Sequence, residues 1–480
     1  MKKSIKIALI LGIVVVCLLA ATLILTFFGK FYAGYYLAYK VNADKVTCTV
    51  TKCIPLGAKE ITVPETIGRY RVSEVDSYAF ANRTKLTDIT LPDGLESIGI
   101  GAFYECENLK KIKIPNSVTS VGSYAFFGCE SLTSITLSAN TREIGARVFE
   151  GCTSITDASV PASAIATLPP ENITAVEVNS GKSIGNYAFK NFAKLTTITI
   201  SPSVEKIGLN AFKGCKSITS ATLPAELISF IPRDKLTCIV INGGTHIPER
   251  ACYYFSHLTS ITLPQSIISI GNRAFEGCYQ LAEIYNFSPI EIEIGSSDNG
   301  GIARYALHIS TSPEESCRTW ADENGYLFYE GDDACYLLGY MGEETELTLP
   351  EGPNGRDYII RAYAFYINAS LTSVTLPESV VKIEENAFAH CRSIETMTFP
   401  NSLVSIGKHA FYECDELSQI SLGKNITTIG AHAFDDCDNL AHIAFRGTTE
   451  EWKSIELGSY WIFYAPVTEI VCTDGAMNLK

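Results

Sequence analysis

Apolar and polar positions along this chain repeat with a long period. A block of the form I-G-x-x-A-F-x-x-C-x-x-L-x-x-I-x-L-P, with Ile114 in place of its last Leu, spans residues 98–115 and recurs on both sides of it. Aligned on the aromatic, the column reads Phe80, Phe103, Phe126, Phe149, Phe189, Phe212, Cys252, Phe275, Phe365, Phe388, Phe411 and Phe434. The steps are 23 residues, except for two of 40 and one of 90. A fixed period of this length predicts a solenoid, in which each copy buries its apolar face against the next and none folds alone.

Two strands are expected per copy. Ile or Val always stands five residues before the aromatic, from Val75 to Ile429, and a β-branched column reads as a short buried strand. The closing L-x-x-I-x-L alternates, which predicts a strand with one buried face. Prolines such as Pro92, Pro115 and Pro264 end it, because proline lacks the N–H that a ladder needs. Fourteen such strands are expected, ten before residue 290 and four after residue 370. The A-F-x-x-C segment is too short for a long helix and is expected to form one turn of α- or 3₁₀-helix. Glycine usually stands four residues before the aromatic, but Asp76, Pro248, Arg361 and Glu384 share that column. Proline excludes a positive φ, so close backbone approach or a simple turn explains these glycines better than a left-handed residue. The fold class is α/β and β-rich, with parallel strands and short helical turns.

These columns resemble the BspA-type leucine-rich repeat family of surface proteins over most of residues 61–445. The resemblance implies a leucine-rich-repeat solenoid wound as a right-handed superhelix. It also implies export, and a role in adhesion or protein–protein contact.

The array has irregularities. The two 40-residue steps share Leu168-Pro169 against Ile231-Pro232, and Asn179-Ser180-Gly181 against Asn242-Gly243-Gly244. Each reads as an added thin rung without the A-F-x-x-C turn. Across the 90-residue step the columns vanish, and Leu347-Thr348-Leu349-Pro350 then restarts the array as Ile61-Thr62-Val63-Pro64 starts it. Trp452 and Trp461 are expected to cap the last rung, since large aromatics shield much apolar area. The expected organisation is a cytoplasmic tip, transmembrane anchor and juxtamembrane segment over 1–40, and an N-terminal cap over 41–60. A first array follows over 61–286, an ordered connector over 287–346, a second array over 347–445 and a C-terminal cap over 446–480.

Residues 7–28 carry no charge. At about 1.5 Å per residue they span about 33 Å as one transmembrane helix. Lys2, Lys3 and Lys6 precede them, which favours a cytoplasmic N-terminus, and Phe31, Tyr32, Tyr35, Tyr36 and Tyr39 follow as an interfacial belt. The alternative is a cleaved signal peptide and a secreted product, with Val41-Asn42-Ala43 at the cleavage site. Both place the repeats outside the cell. Five of the 38 basic residues lie in 1–40, leaving 33 against 52 acidic ones, a balance of −19. That disfavours nucleic acid as a partner.

Candidate chemistry is sparse. Eight of sixteen cysteines stand three residues after the aromatic and read as a buried thiol column. Cys48 with Cys53, and Cys317 with Cys335, are better disulfide candidates. Gly181-Lys182-Ser183 lacks the first glycine of a phosphate loop, and His409 with His432 lack a third ligand at metal spacing. No catalytic constellation appears, so no enzyme activity, metal or cofactor is expected. Threonines such as Thr133, Thr156, Thr196 and Thr219 line the exposed strand face, where threonine is at home. Lys110, Lys111 and Lys113 interrupt it with three charges on one rung, a candidate contact for an anionic partner. Trp320, Tyr326 and Tyr329 in the connector are candidate sugar platforms. The expected partners are extracellular or cell-surface proteins, host matrix among them, with glycans as the alternative and the membrane through residues 7–28.

Overall fold

The computed structural model describes residues 29–32, 35–55, 58–312 and 317–479. It divides into two compact units, Met1–Pro232 and Arg233–Lys480. Both are β-solenoids of stacked parallel strands. The expected anchor at 7–28 lies outside the described residues. Among the described residues no helix is long and apolar enough to cross a membrane.

Each full rung places two strands in two sheets. In the first unit the β-branched column forms Ser97–Ile98, Ser120–Val121 and Glu143–Ile144, in parallel register behind Tyr70–Val75. The alternating column forms Glu60–Thr62, Asp88–Thr90 and Lys111–Lys113 in one sheet. It continues in a second, with Ser134–Thr136, Asp157–Pro161, Ala175–Ser180, Thr197–Ile200 and Ser220–Pro224. The second unit repeats the arrangement from Cys238–Gly243 to Glu283–Asn286, and from Ser373–Thr375 to His442–Phe445. All fourteen expected strands are present.

The core is a set of columns. Phe80, Phe103 and Phe126 stack with ring centroids 5.2 Å apart at each step, and Phe365, Phe388, Phe411 and Phe434 at 4.8, 5.1 and 5.2 Å. The cysteine column lies beside them, fully buried. Each of its eight thiols donates to the carbonyl of the aromatic-column residue one rung earlier, at 3.0–3.3 Å. A thiol suits the place because it is small and apolar and still carries a weak donor. Where no complete rung precedes in the chain, the position holds Arg83, Phe192, Phe255 or Asn368 instead.

The glycine column follows the same rule. A Cβ on Gly99, Gly122, Gly145, Gly271 or Gly430 would lie 2.1–2.5 Å from a backbone nitrogen of the rung before it. Close approach is therefore the reason for the column, and none of these glycines has positive φ. Gly185 follows a thin rung and has nothing within 4 Å. Asp76 and Arg361 open arrays, and Pro248 follows the other thin rung, so these positions tolerate side chains. Glu384 follows a register shift at Tyr358/Ile359 and pairs with Arg361.

Left-handed backbone lies elsewhere. The residue two before the aromatic has positive φ in every copy, from Tyr78 (57°) to His432 (55°). The residue two after it is also left-handed, as in Glu105, Gly128 and His390. Two such residues within five prevent a helix from propagating. The A-F-x-x-C segment is therefore a pair of tight turns and not the expected helical turn. Among the described residues the helices are one α-helix, Thr449–Lys453, and four short 3₁₀ segments. Two of these, Ala162–Thr167 and Ala225–Phe230, replace the missing turn in the thin rungs. The α component of the expected fold class thus shrinks to caps and thin rungs.

Both arrays open on a hairpin. Tyr35–Val41 runs antiparallel to Thr47–Pro55, which pairs in parallel with Tyr70–Val75. Tyr326–Glu330 runs antiparallel to Cys335–Tyr340, which pairs in parallel with Tyr358–Ile360. Tyr35 Oη donates to the Thr62 carbonyl at 2.6 Å, and Tyr326 Oη to the Thr348 carbonyl at 2.9 Å. The segment expected as a connector therefore contains a second copy of the opening cap. It also holds a degenerate rung, Asn299–Gly301 with His308–Ser310. Tyr35 and Tyr36 are buried in the first cap and not arranged as an interfacial belt. At the other end Trp452 and Trp461 are buried, as expected of cap residues, and Trp461 meets Phe434 edge-on at 6.3 Å.

The two expected disulfides are absent. All fifteen described cysteines are free. Cys48 and Cys53 lie five residues apart on one strand, which at ~3.3 Å per residue exceeds the reach of a disulfide. Cys335 is core, whereas Cys317 is exposed and contacts Glu283 and Thr319.

Candidate functional site

Strand Lys111–Lys113 lies beside Asp88–Thr90, with Lys111 opposite Asp88 and Lys113 opposite Thr90. Lys110, Lys111 and Lys113 are all exposed, and none forms an ion pair among the described residues. The threonines around them have a structural role. The hydroxyls of Thr156, Thr174, Thr196 and Thr219 each bond a threonine carbonyl one rung earlier, at 3.1–3.4 Å. Lys110 breaks that column. The rungs that follow carry small side chains, and a shallow hollow of about 250 Å³ opens over Ser134, Asp157, Ala175, Glu177 and Thr199. This strand face thus passes from cationic through small and neutral to acidic.

The expected platform of Trp320, Tyr326 and Tyr329 does not form. Tyr326 and Tyr329 are each 5% exposed. Tyr326 belongs to the core of the second array, and Tyr329 packs with Ala282, Leu327 and Leu338. A buried ring has no face to offer a sugar. Trp320 is 39% exposed but stacks on Phe328 at 5.0 Å. The hairpin carrying these residues is pinned by Glu283, a fully buried carboxylate. It accepts the N–H groups of Arg318 and Thr319 at 2.9 Å, and the Tyr285 hydroxyl at 3.0 Å. A buried polar group keeps its place when its hydrogen-bonding capacity is met in this way.

A different set of tyrosines comes together. Tyr279 stacks on Tyr363 at 4.7 Å and 12°. Tyr305 and Tyr366 meet both rings edge-on at 5.2–5.4 Å, and Tyr254 approaches Tyr279 at 6.4 Å. They border a cavity of about 620 Å³, which Arg273, Glu276, Asp298 and Arg304 also line. Burial pushes the Tyr305 phenol up to about 12. Sequence reasoning missed these rings because Tyr279 and Tyr363 are far apart in the chain and lie on opposite sides of the interrupted columns. The usable signal was tyrosine at turn positions beside the irregular segment.

Burial pushes the thiols of Cys106, Cys278, Cys391 and Cys437 up to about 12. They are therefore poor nucleophiles at neutral pH. Among the described residues no three His, Cys, Asp or Glu gather to hold a metal.

Residues 73–171, 167–282, 245–297 and 358–470 match the model of the BspA type leucine rich repeat region. Together these stretches cover well over half of the chain. The chain belongs to this family. Its β-solenoid is a leucine-rich-repeat fold, and such repeats are in general protein-binding surfaces. Solved structures similar to this BspA-type protein include a leucine rich cell surface protein from Faecalibacterium prausnitzii A2-165, at 25% identity, 89% coverage of this chain, 97% of that chain and a TM-score of 0.28. A leucine-rich repeat protein from Bacteroides ovatus ATCC 8483 is 23% identical over 91% of this chain and 99% of that one, with a TM-score of 0.29. The pneumococcal vaccine antigen PcpA is 16% identical over 93% and 87%, with a TM-score of 0.29. No curated protein matches the chain.

Proposed function

We propose that this BspA-type protein is a non-enzymatic binding module displayed outside the cell, and that it engages an extracellular or cell-surface protein through the strand face of its first unit. The observation that carries this reading is the rung of Lys110, Lys111 and Lys113. It puts three exposed cations, unpaired among the described residues, beside a shallow groove lined by Ser134, Asp157, Ala175 and Glu177, in a chain of net charge −14. Such a spot suits an acidic patch on a protein partner, because local complementarity sets orientation and on-rate. The uncharged run at 7–28, with Lys2, Lys3 and Lys6 before it, supports a single-pass anchor holding the repeats outside. The test is a binding screen of the protein against matrix and cell-surface proteins, with K110E/K111E/K113E alongside. A hit whose affinity falls about tenfold or more in the variant supports the reading. Unchanged affinity for every ligand found removes the lysine rung from it. Detecting residues 1–40 on the mature protein by mass spectrometry distinguishes anchoring from secretion. A second reading, a carbohydrate-contacting envelope protein, is favoured by the half-buried tyrosines around the 620 Å³ cavity.

A further inference from the structure

We propose that the turn edge of the second array is a track for a linear, neutral polysaccharide, with about one sugar unit per rung. The inference deepens the carbohydrate reading and is independent of the lysine rung. Its basis is an unbroken chain of solvent-accessible aromatic rings. From Tyr366 the ring contacts pass to His390 at 5.4 Å, to Tyr412 at 5.6 Å and to His409 at 5.3 Å. They continue to His432 at 5.0 Å and to Tyr460 at 5.5 Å. Phe463 and Tyr464, 53% and 64% exposed, extend the chain beyond the last rung, and the Tyr279–Tyr363 stack joins its other end. Every rung from Arg361 to Gly458 thus contributes at least one ring.

The rings are fixed in place. His390 Nδ1 lies 3.0 Å from Glu413, which Arg392 also holds at 2.6 Å. His432 Nδ1 lies 2.7 Å from Asp435, itself buried. Imidazoles held this way lose little freedom on binding, the condition for an efficient contact surface. The rings meet one another edge-on or in stacks, so what they turn outward is mainly their edges and the tyrosine hydroxyls, a row of donors and acceptors suited to the hydroxyls of a sugar.

Spacing selects the occupant. Rungs repeat at ~4.8 Å, close to the repeat of a hexose along a linear polysaccharide. A peptide advances about 3.3 Å per residue when extended and about 3.1 Å as polyproline, out of step with the rungs. Charge narrows the choice. Glu385, Glu413, Asp435 and Asp436 outnumber Arg392 and Lys408 along this edge, which repels an anionic polymer. The first unit has only a short cluster, Tyr78, Tyr104, Phe127 and Tyr124, before Arg147 ends it.

The test is affinity electrophoresis of the full chain in gels containing hydroxyethylcellulose, galactomannan or polygalacturonate, followed by calorimetry with neutral oligosaccharides of increasing length. The expected result is retardation by at least one neutral polymer, little by polygalacturonate, and affinity that rises with oligosaccharide length. Y412A/Y460A should weaken binding about tenfold or more, while Y78A leaves it unchanged. Tyr464→Ala, at an exposed position, serves where the double variant lowers the thermal midpoint. The proposal is overturned by no retardation in either neutral polymer, by equal retention in polygalacturonate, or by normally folded ring variants that bind as tightly as the parent. A failure here leaves the protein-binding reading of the lysine rung standing, since that is read by K110E/K111E/K113E alone.

Discussion

At the scale of single residues, this repeat is governed by what the previous rung supplies. Gly145 faces a backbone nitrogen at 2.1 Å from its virtual Cβ, whereas Gly185, in the same column, faces nothing. Gly145→Ala should therefore destabilise by ~1–3 kcal/mol through forced displacement. Gly185→Ala should be neutral or stabilise by ~0.4–1 kcal/mol through loss of unfolded-state freedom. Thermal midpoints of the two variants check this, and equal effects would refute the close-approach account. The cysteine column makes a second prediction, about pH. Cys106, Cys278, Cys391 and Cys437 are pushed up to about 12 by burial. An unfolded thiol titrates near its ordinary value of about 9, so the folded state holds protons that the unfolded state releases. The contribution is complete below pH ~9 and is lost as pH rises toward ~12. Denaturant midpoints should fall over that interval, and Cys391→Val should make the fall shallower. A midpoint flat to pH 11 would contradict it. Iodoacetamide at neutral pH should reach Cys106, Cys278, Cys391 and Cys437 only after unfolding.

At the scale of elements, the amphipathic code was readable because it is redundant. Ile135 and Leu137, or Ile261 and Leu263, alternate in the same way at every rung, so all the alternating strands and both thin rungs follow from period alone. The turns were not readable. Tyr78, Arg147, Asn210 and His409 take the same left-handed backbone, yet they share no residue type, and only the packing of neighbouring rungs imposes the conformation. The tyrosine cluster was hidden for a related reason: the pairing of Tyr279 with Tyr363 depends on how the chain returns after an interruption, which no periodicity encodes. Trp320, Tyr326 and Tyr329 were misjudged because their hairpin repeats the opening cap with little sequence likeness beyond its tyrosines. The burial of Trp452 and Trp461 was legible, since both follow the last rung and large rings there have apolar area to cover. Trp461 lies against Phe434 and is 8% exposed. Trp461→Ala should cost ~3–5 kcal/mol and fray the last rungs first, seen as faster amide exchange at residues 428–445 than at residues 371–383. Uniform exchange across the array would argue against a capping role.

At the scale of the whole molecule, two runs of rungs each begin behind an antiparallel hairpin. A solenoid rung is stable only between neighbours, so an array requires a polar-edged cover at each end. The first array has one in Tyr35–Val41 and Thr47–Pro55, and the second has one in Tyr326–Glu330 and Cys335–Tyr340. The second also carries a hairpin after its last rung, where Gly475–Asn478 folds antiparallel onto Glu469–Cys472. Its core is continuous from Tyr326 to Cys472. These features make residues 317–480 a candidate for autonomous folding, with the hairpin as the deciding part. A fragment of residues 317–480 should unfold cooperatively and show the blue-shifted fluorescence of buried Trp452 and Trp461. A fragment of residues 347–480 keeps every rung but exposes Tyr358, Ile360 and Phe365, and it should aggregate or unfold with a broad, shallow transition. Equal stability of the two fragments would mean that the hairpin is decoration on the array and not its cap, and the likeness to the opening of the first array would then have no energetic content.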